Sequence, residues 1–265
     1  MTKGVILKRK KEDVAMDFSF LAEQERALGP TIKLFNDDPY LTRAEATVLF
    51  VQGPYVIMDK TIFYAEAGGQ ASDTGTIGGL QIAEVQKKGG RRLVVHRPDV
   101  DVPAVTVDTV IVHQLAQDAP FAVGARVQME LDWQRRYAVM RYHSVSHFLY
   151  HAAHKVYDTP DDSLYTKGCS IDHEGARFDF FGSLGGENIP QVEALANELI
   201  ARALPITREA EPLTQDIHYW RYDDILIPCG GTHVRSASEL APIKVKRAKK
   251  GSTTTRLSCV FVEEG

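Results

Sequence analysis

Between residues 45 and 132 the apolar residues come in short alternating segments, and after Asp132 that alternation stops. "ATVLFVQ", "YVIMDKTIFY", "TIGGLQIAEVQ", "RRLVVH", "DTVIVHQL" and "ARVQMELDW" follow one another, separated by Gly, Pro and Asp. Alternation at period two turns one face of each segment to a core and the other to water. Segments this short and regularly spaced predict a small antiparallel barrel-like unit or sandwich. From about Gln134 to Val156 the period becomes helical, with Val139, Val145, Phe148, Leu149 and Ala152 as the packing stripe. Pro190 opens a second helix carrying Val192, Leu195, Ala196, Leu199 and Ile200, and Pro205 closes it. "LYTKGCSI", "ARFDFFG", "ILIPCGGTHV", "APIKVKRA" and "TTTRLSCVFVE" read as strands around these helices. The expected class is α+β, in three parts: an extension over 1–30, a β-barrel-like domain over 31–132, and a mixed α+β domain over 133–265. The extension carries a short helix over 12–28, stopped by Gly29-Pro30.

With 265 residues, 44% of them apolar, the chain can bury a sizeable core. A net charge of −4 gives no global basic field toward nucleic acid, but charge is unevenly spread. From Ala241 to Arg256 stand Lys244, Lys246, Arg247, Lys249, Lys250 and Arg256 without one carboxylate. "KKGGRR" at 87–92 reads as a second basic knot, a hairpin tip turning at Gly89-Gly90. Three cysteines, at 169, 229 and 259, are an odd and scattered set that predicts free thiols in a reducing compartment. The amino terminus lacks a secretory apolar core, and no run is long enough to span a bilayer. The expectation is a soluble cytoplasmic protein with no membrane partner.

His143 and His147 lie four apart in the first helix, so both imidazoles leave one face a turn apart, as two ligands of one ion would. His151 and His154 share that face, so this spacing alone does not single out a site. "PCGGTH" adds Cys229 and His233, with two glycines that let backbone fold tightly around an ion. One thiolate with three imidazoles suits Zn²⁺. A zinc protease of the H-E-x-x-H kind is excluded because position 144 is serine, not the glutamate that would act as base. Cys169 and Cys259 sit in strand-like contexts and read as small buried hydrophobes.

"LDWQRRYAVMRYHSVSHFLYHA" followed by "IPCGGTHV" resembles the editing domain shared by alanyl-tRNA synthetases and free-standing alanyl-tRNA editing proteins of the AlaX type. "TIFYAEAGGQASDTG" resembles the glycine-rich segment of that family, and "TKGCSI", "ARFDF" and "NIPQVEALANELIARALPI" match its intervening strands and helix. The resemblance runs from about Ile32 to Val262. Nothing resembles an aminoacylation core, so the free-standing form is implied. The implied fold is a β-barrel-like domain followed by a zinc-dependent editing domain of the threonyl/alanyl-tRNA synthetase second additional domain type. The implied activity is hydrolysis of the ester joining serine or glycine to alanine tRNA, with one Zn²⁺ held by His143, His147, Cys229 and His233. The family's H-T-A-T-H is H-S-V-S-H here, a change that bears on which amino acid is removed.

Four protein ligands would close a tetrahedral site, as structural sites are closed. Expectation therefore takes His143, His147 and Cys229 as firm and His233 as the loosest. Ser144, Ser146 and Thr232 are candidates to pair with a serine hydroxyl. Gly68, Gly69 and Gln70 are candidates to meet the terminal adenosine or the attacking water. Lys244, Lys246, Arg247, Lys249, Lys250 and Arg256 would position tRNA phosphates without reading sequence. Two other readings stand beside this one: a catalytically inactive tRNA- or RNA-binding module with structural zinc, and a zinc hydrolase acting on another ester or amide.

Overall fold

The computed structural model describes residues 27–158 and 164–262. The helix expected over 12–28 falls largely outside them. The first part of the chain carries β1 (Ile32–Lys33), β2 (Arg43–Gln52), β3 (Tyr55–Met58), β4 (Lys60–Thr61), β5 (Gly75–Ile77), β6 (Leu80–Lys88), β7 (Arg91–Leu93), β8 (Val105–Val107), β9 (Val110–Leu115) and β10 (Arg126–Leu131). Six of these close on themselves in the order β10-β2-β3-β9-β6-β5, every pairing antiparallel. The alternation read from sequence is what fills this ring. Val48, Val56, Met58, Ile77, Val85, Ile111, Val127 and Met129 all point inward and are buried.

One expectation about this region is corrected. Gly89-Gly90 is not a hairpin tip, because β6 pairs with β9 while β7 pairs with β8. The two glycines instead turn the chain from one sheet into another, both at positive φ. A side chain on Gly90 would collide with the Val107 carbonyl.

Helix α1 (Trp133–Tyr157) begins where the ring ends, and Asp132 caps it by accepting from the Arg135 backbone N–H at 3.2 Å. It is buried on more than one side, since Val139, Met140, Ser144, Val145, Phe148, Leu149 and Ala152 are all enclosed. The remaining elements are β11 (Thr166–Ile171), β12 (Ala176–Phe181), α2 (Ile189–Ala201), β13 (Thr207–Glu211), β14 (Thr214–Tyr222), β15 (Ile225–Pro228), β16 (Ile243–Lys249) and β17 (Thr254–Phe261). Strands β11-β12-β17-β16 form one antiparallel sheet against which both helices pack, and β13-β14-β15 form another. The molecule is thus mixed α and β with more sheet than helix, and no described helix is long and apolar enough to cross a membrane.

The ring and the helix-bearing part keep separate apolar cores, and Trp133 packs against both. A buried ion pair fastens them. Arg136 on α1 and Asp73, near the end of the glycine-rich segment, are respectively 0% and 2% exposed. The Arg136 guanidinium donates to Asp73, to Pro39 O at 2.8 Å and to Ile62 O at 2.7 Å. Asp73 also accepts from the Tyr64 backbone N–H at 2.6 Å. Every charge in the pair is hydrogen-bonded, the condition under which burial of two ions is tolerated.

Candidate metal centre

Spacing on α1 puts His143 and His147 on one face, and their ring centroids stand 5.0 Å apart. Cys229 and His233 arrive from the turn after β15, whose path is set by Cys229 N donating to His218 O at 2.9 Å. The four donor atoms lie within 4.8 Å of one another and could hold a metal ion. His147 Nε2 is 3.0 Å from His233 Nε2, Cys229 Sγ is 3.3 Å from His143 Nε2, and the same sulfur is 3.6 Å from His233 Nε2. His233 therefore enters the group on the same terms as the others. His151 and His154 do not join it; His154 faces Asp158 at 2.9 Å instead.

The donor set fits a borderline-soft cation. Burial drives His143 and His233 well below the ordinary imidazole range and His147 down to about 3, so all three rings are neutral and offer lone pairs. Burial pushes the Cys229 thiol up to about 11. A cation among these donors would reverse that last shift, since a coordinating thiol is deprotonated.

Gln70 lies beneath the group and is fully buried. Its Oε1 accepts from the Thr232 backbone N–H at 3.0 Å and meets His143 Nδ1 at 2.7 Å; its Nε2 donates to Thr232 Oγ1 at 2.9 Å. A backbone N–H can only donate, so Oε1 is an acceptor and His143 Nδ1 must carry the proton. The Nε2 lone pair of His143 is thereby aimed at Cys229 and the other donors. Gly231 makes room for this packing, because any side chain there would overlap the His143 ring and Gln70 Oε1.

The group forms part of the wall of a cavity of about 320 Å³. His143, His147, Cys229, Gly230 and Gly231 line it, as do Gly68 of the glycine-rich turn and Ser146. Several sequence-picked residues stand elsewhere. Gln70, Gly69, Ser144 and Thr232 are absent from the lining. Ser144 Oγ donates to Met140 O at 2.8 Å and accepts from Val234 N at 3.2 Å, so it ties the helix to the CGGTH turn. Ser146 Oγ donates to His143 O at 2.7 Å. Gly69, at φ +82°, has Cys169 Sγ and backbone against the place a Cβ would occupy.

The basic run contributes nothing to the cavity lining. Register turns part of it away from the helices, although Arg247 lies in the row of Leu257 and Lys249 in that of Thr255. Cys169, Phe178 and Leu257 share a row on the helix-facing side of the sheet, and Cys169 and Phe178 line the cavity. Arg256 and Lys246 fall in the alternate rows and face the other way. Arg256 pairs with Asp179 at 2.6 Å, Lys244 with Glu193 at 2.8 Å, and Arg247 donates to Leu184 O at 2.6 Å. The cations that do line the cavity are Lys33 and Lys87. Lys33 carries no motif in the sequence, and Lys87 was masked by its place in the "KKGGRR" run. His218 lines it too, its Nδ1 buried without a partner among the described residues.

Residues 8–135, the part that precedes the four donors, match the family described as class II (A) tRNA synthetases. Within that class the chain is similar to alanine–tRNA ligases. It is 32% identical to that of Ignicoccus hospitalis over 255 residues, 34% to that of Staphylothermus marinus over 243, and 33% to that of Saccharolobus islandicus over 247. These matches cover 87%, 83% and 85% of this chain but 26%, 25% and 26% of the relatives. The chain is an alanyl-tRNA-synthetase-like protein, of the editing type whose motifs its sequence carries, and it spans about a quarter of the length of those relatives.

Proposed function

We propose that the protein is a zinc-dependent aminoacyl-tRNA deacylase that hydrolyses, in trans, the ester joining serine or glycine to alanine tRNA. The observation that carries this reading is the convergence of His143, His147, Cys229 and His233 on one point, the first three of them lining the cavity, in a relative of alanine–tRNA ligases. At about 320 Å³ the cavity is near the lower end of small-molecule sites, room for an aminoacylated nucleoside and not for a duplex. Residues 31–132 and 133–265 are proposed as its two domains, the second of the threonyl/alanyl-tRNA synthetase second additional type; their separate apolar cores support that division.

His143, His147, Cys229 and His233 would hold the ion, which when bound supplies electrophilic polarisation of a carbonyl or an anchor for the substrate's amino or hydroxyl group. The chain's own residues do the rest. Gln70 is a positioning residue: through Thr232 and His143 Nδ1 it fixes one ring's tautomer and tilt. The apolar wall of Ile171, Phe178, Ile217 and Ile227 excludes bulk water around the ester. Ser146, whose hydroxyl already donates to His143 O, is the candidate to accept from a serine hydroxyl, a contact that alanine cannot make. Gly68 shapes the cavity edge, and Gly69 lets the turn pack against Cys169 behind it. The run from Lys244 to Arg256 is proposed as a backbone contact to tRNA outside the cavity, with Lys244, Lys246 and Arg256 on the helix-distal face of the sheet.

The test is the lifetime of Ser-tRNA, Gly-tRNA and Ala-tRNA for alanine with protein whose metal content is measured on the same sample. Selective loss of the Ser or Gly ester, abolished by chelation, is expected; unchanged lifetimes with loaded protein reject the reading. A second reading, an inactive RNA-binding module with structural zinc, is favoured by the closed four-donor set. His233→Ala separates the two: lost turnover in a folded protein counts for the deacylase.

A further inference from the structure

Three charged groups line the cavity besides its neutral histidines and cysteines: Lys33, Lys87 and Asp216. They come from β1, β6 and β14, elements far apart in the chain, so the grouping is a product of the fold. Asp216 is fully occupied. Its Oδ1 accepts from Lys33 Nζ at 2.5 Å and its Oδ2 from the Asp108 backbone N–H at 2.6 Å. Lys87 has no ion pair or hydrogen bond among the described residues. Asp216 is thus taken up by Lys33 and the Asp108 backbone, and Lys87, a solvent-exposed residue of the cavity lining, stays free to meet an anion. Desolvation by the surrounding chain, then the neighbouring Lys33 charge, lower the Lys87 pKa against the opposing pull of Asp216.

Position gives that anion its identity. Asp216 and His218 both line the cavity from β14, and two residues of strand span about 7 Å. His218 is the residue whose carbonyl anchors Cys229. The lysines thus line the same cavity as His143, His147 and Cys229. Between them the wall offers Val102, Val105 and Ile217, apolar surface against which a base or ribose can rest.

We propose that Lys87, with Lys33 held beside it by Asp216, is a phosphate-binding subsite that grips the phosphodiester 5′ to the terminal nucleoside of an RNA 3′ end. This inference rests on the deacylase reading for its substrate. It differs from that reading in assigning RNA contact to two lysines of the cavity lining, not to the basic run outside it.

The experiment compares adenosine, adenosine 5′-monophosphate and a short unacylated oligonucleotide ending in CCA, each titrated onto the full chain. The wild-type protein is expected to bind the monophosphate about tenfold or more tighter than the nucleoside, as a charge-assisted contact supplies. The oligonucleotide should keep that advantage, and raised salt should remove it. Lys87→Gln should make nucleoside and monophosphate equal while leaving nucleoside binding unchanged. Lys33→Gln also strands Asp216, so Lys87→Gln is the decisive variant and its melting temperature is checked alongside. Equal wild-type affinity for nucleoside and monophosphate, no binding of either, or a Lys87→Gln protein that still prefers the monophosphate overturns the subsite. A monophosphate preference that the oligonucleotide does not share also overturns it, and marks a free-nucleotide site. The outcomes separate from those of the deacylase test. Ester cleavage whose KM is untouched by Lys87→Gln removes the subsite alone. A Lys87-dependent phosphate preference without cleavage removes the deacylase alone.

Discussion

Thr232 has one backbone N–H to give, and giving it to Gln70 Oε1 decides which nitrogen of His143 is protonated. A partner that orients a metal-binding histidine is worth about 10- to 100-fold in metal affinity when removed. Gln70→Ala should therefore weaken zinc binding by that order while the fold survives, read by competition with a chromophoric chelator. Unchanged affinity would mean that the rigid turn alone sets the ring. Gly231→Ala should do more harm, because a methyl would overlap both the His143 ring and the glutamine oxygen. Its predicted outcome is loss of stoichiometric zinc in a protein that still folds. At this scale the four donors were legible because each pair sits four residues apart, one on a helix and one beside two glycines. Gln70 was legible as important but not for its role, since only the fold shows it facing His143 and Thr232 instead of the cavity. Lys33 was not legible, because a lone lysine has no pattern until separate strands bring it to a cavity, and Lys87 was legible only as one member of the basic knot at 87–92.

Helix α1 is the element on which the site depends, and its hold on the ring passes through Arg136. Removing Asp73 would leave a guanidinium that is 0% exposed without its carboxylate. Breaking a buried pair from one side costs about 3–5 kcal/mol. Asp73→Ala should lose stability of that order by urea denaturation, and adding Arg136→Met should recover part of it, since the stranded charge is then gone. Additive losses would mean that the two residues act separately. Both long helices could be read to within a residue or two at their starts, because Asp132 and Pro190 are start signals in their own right. Short strands were harder. β8 and β13 carry three and five residues, too few for alternation to register, and Gly89-Gly90 looked like a hairpin because the sequence cannot say that β7 turns away to β8.

Across the whole molecule, closure of the ring follows from what the alternating segments bury, and it encloses a group that no apolar pattern predicts. His113 lies on β9, is 0% exposed, and faces Thr61 Oγ1 at 2.9 Å and Val56 O at 3.3 Å. Burial lowers its pKa from 6.5 to about 4. Between those two values the unfolded chain takes up a proton that the folded chain refuses, so stability falls as pH drops from 6.5 toward 4 and is fully present above that window. A shift of that size is worth roughly 3 kcal/mol at most. The buried histidines of the four-donor group fall in the same direction, and loss of any ion they hold would add to them at low pH, so the wild-type curve alone does not isolate the ring. His113→Asn does isolate it. The variant should be less stable than wild type at pH 7.5, through lost packing, and the gap between the two should narrow by about 3 kcal/mol as pH falls to 4, because the four-donor group and any ion it holds act equally on both. Urea unfolding of each protein at half-unit steps measures that gap. A difference that stays constant across the window would mean that His113 is protonated as readily in the folded ring as in the unfolded chain, and that the ring admits water to it.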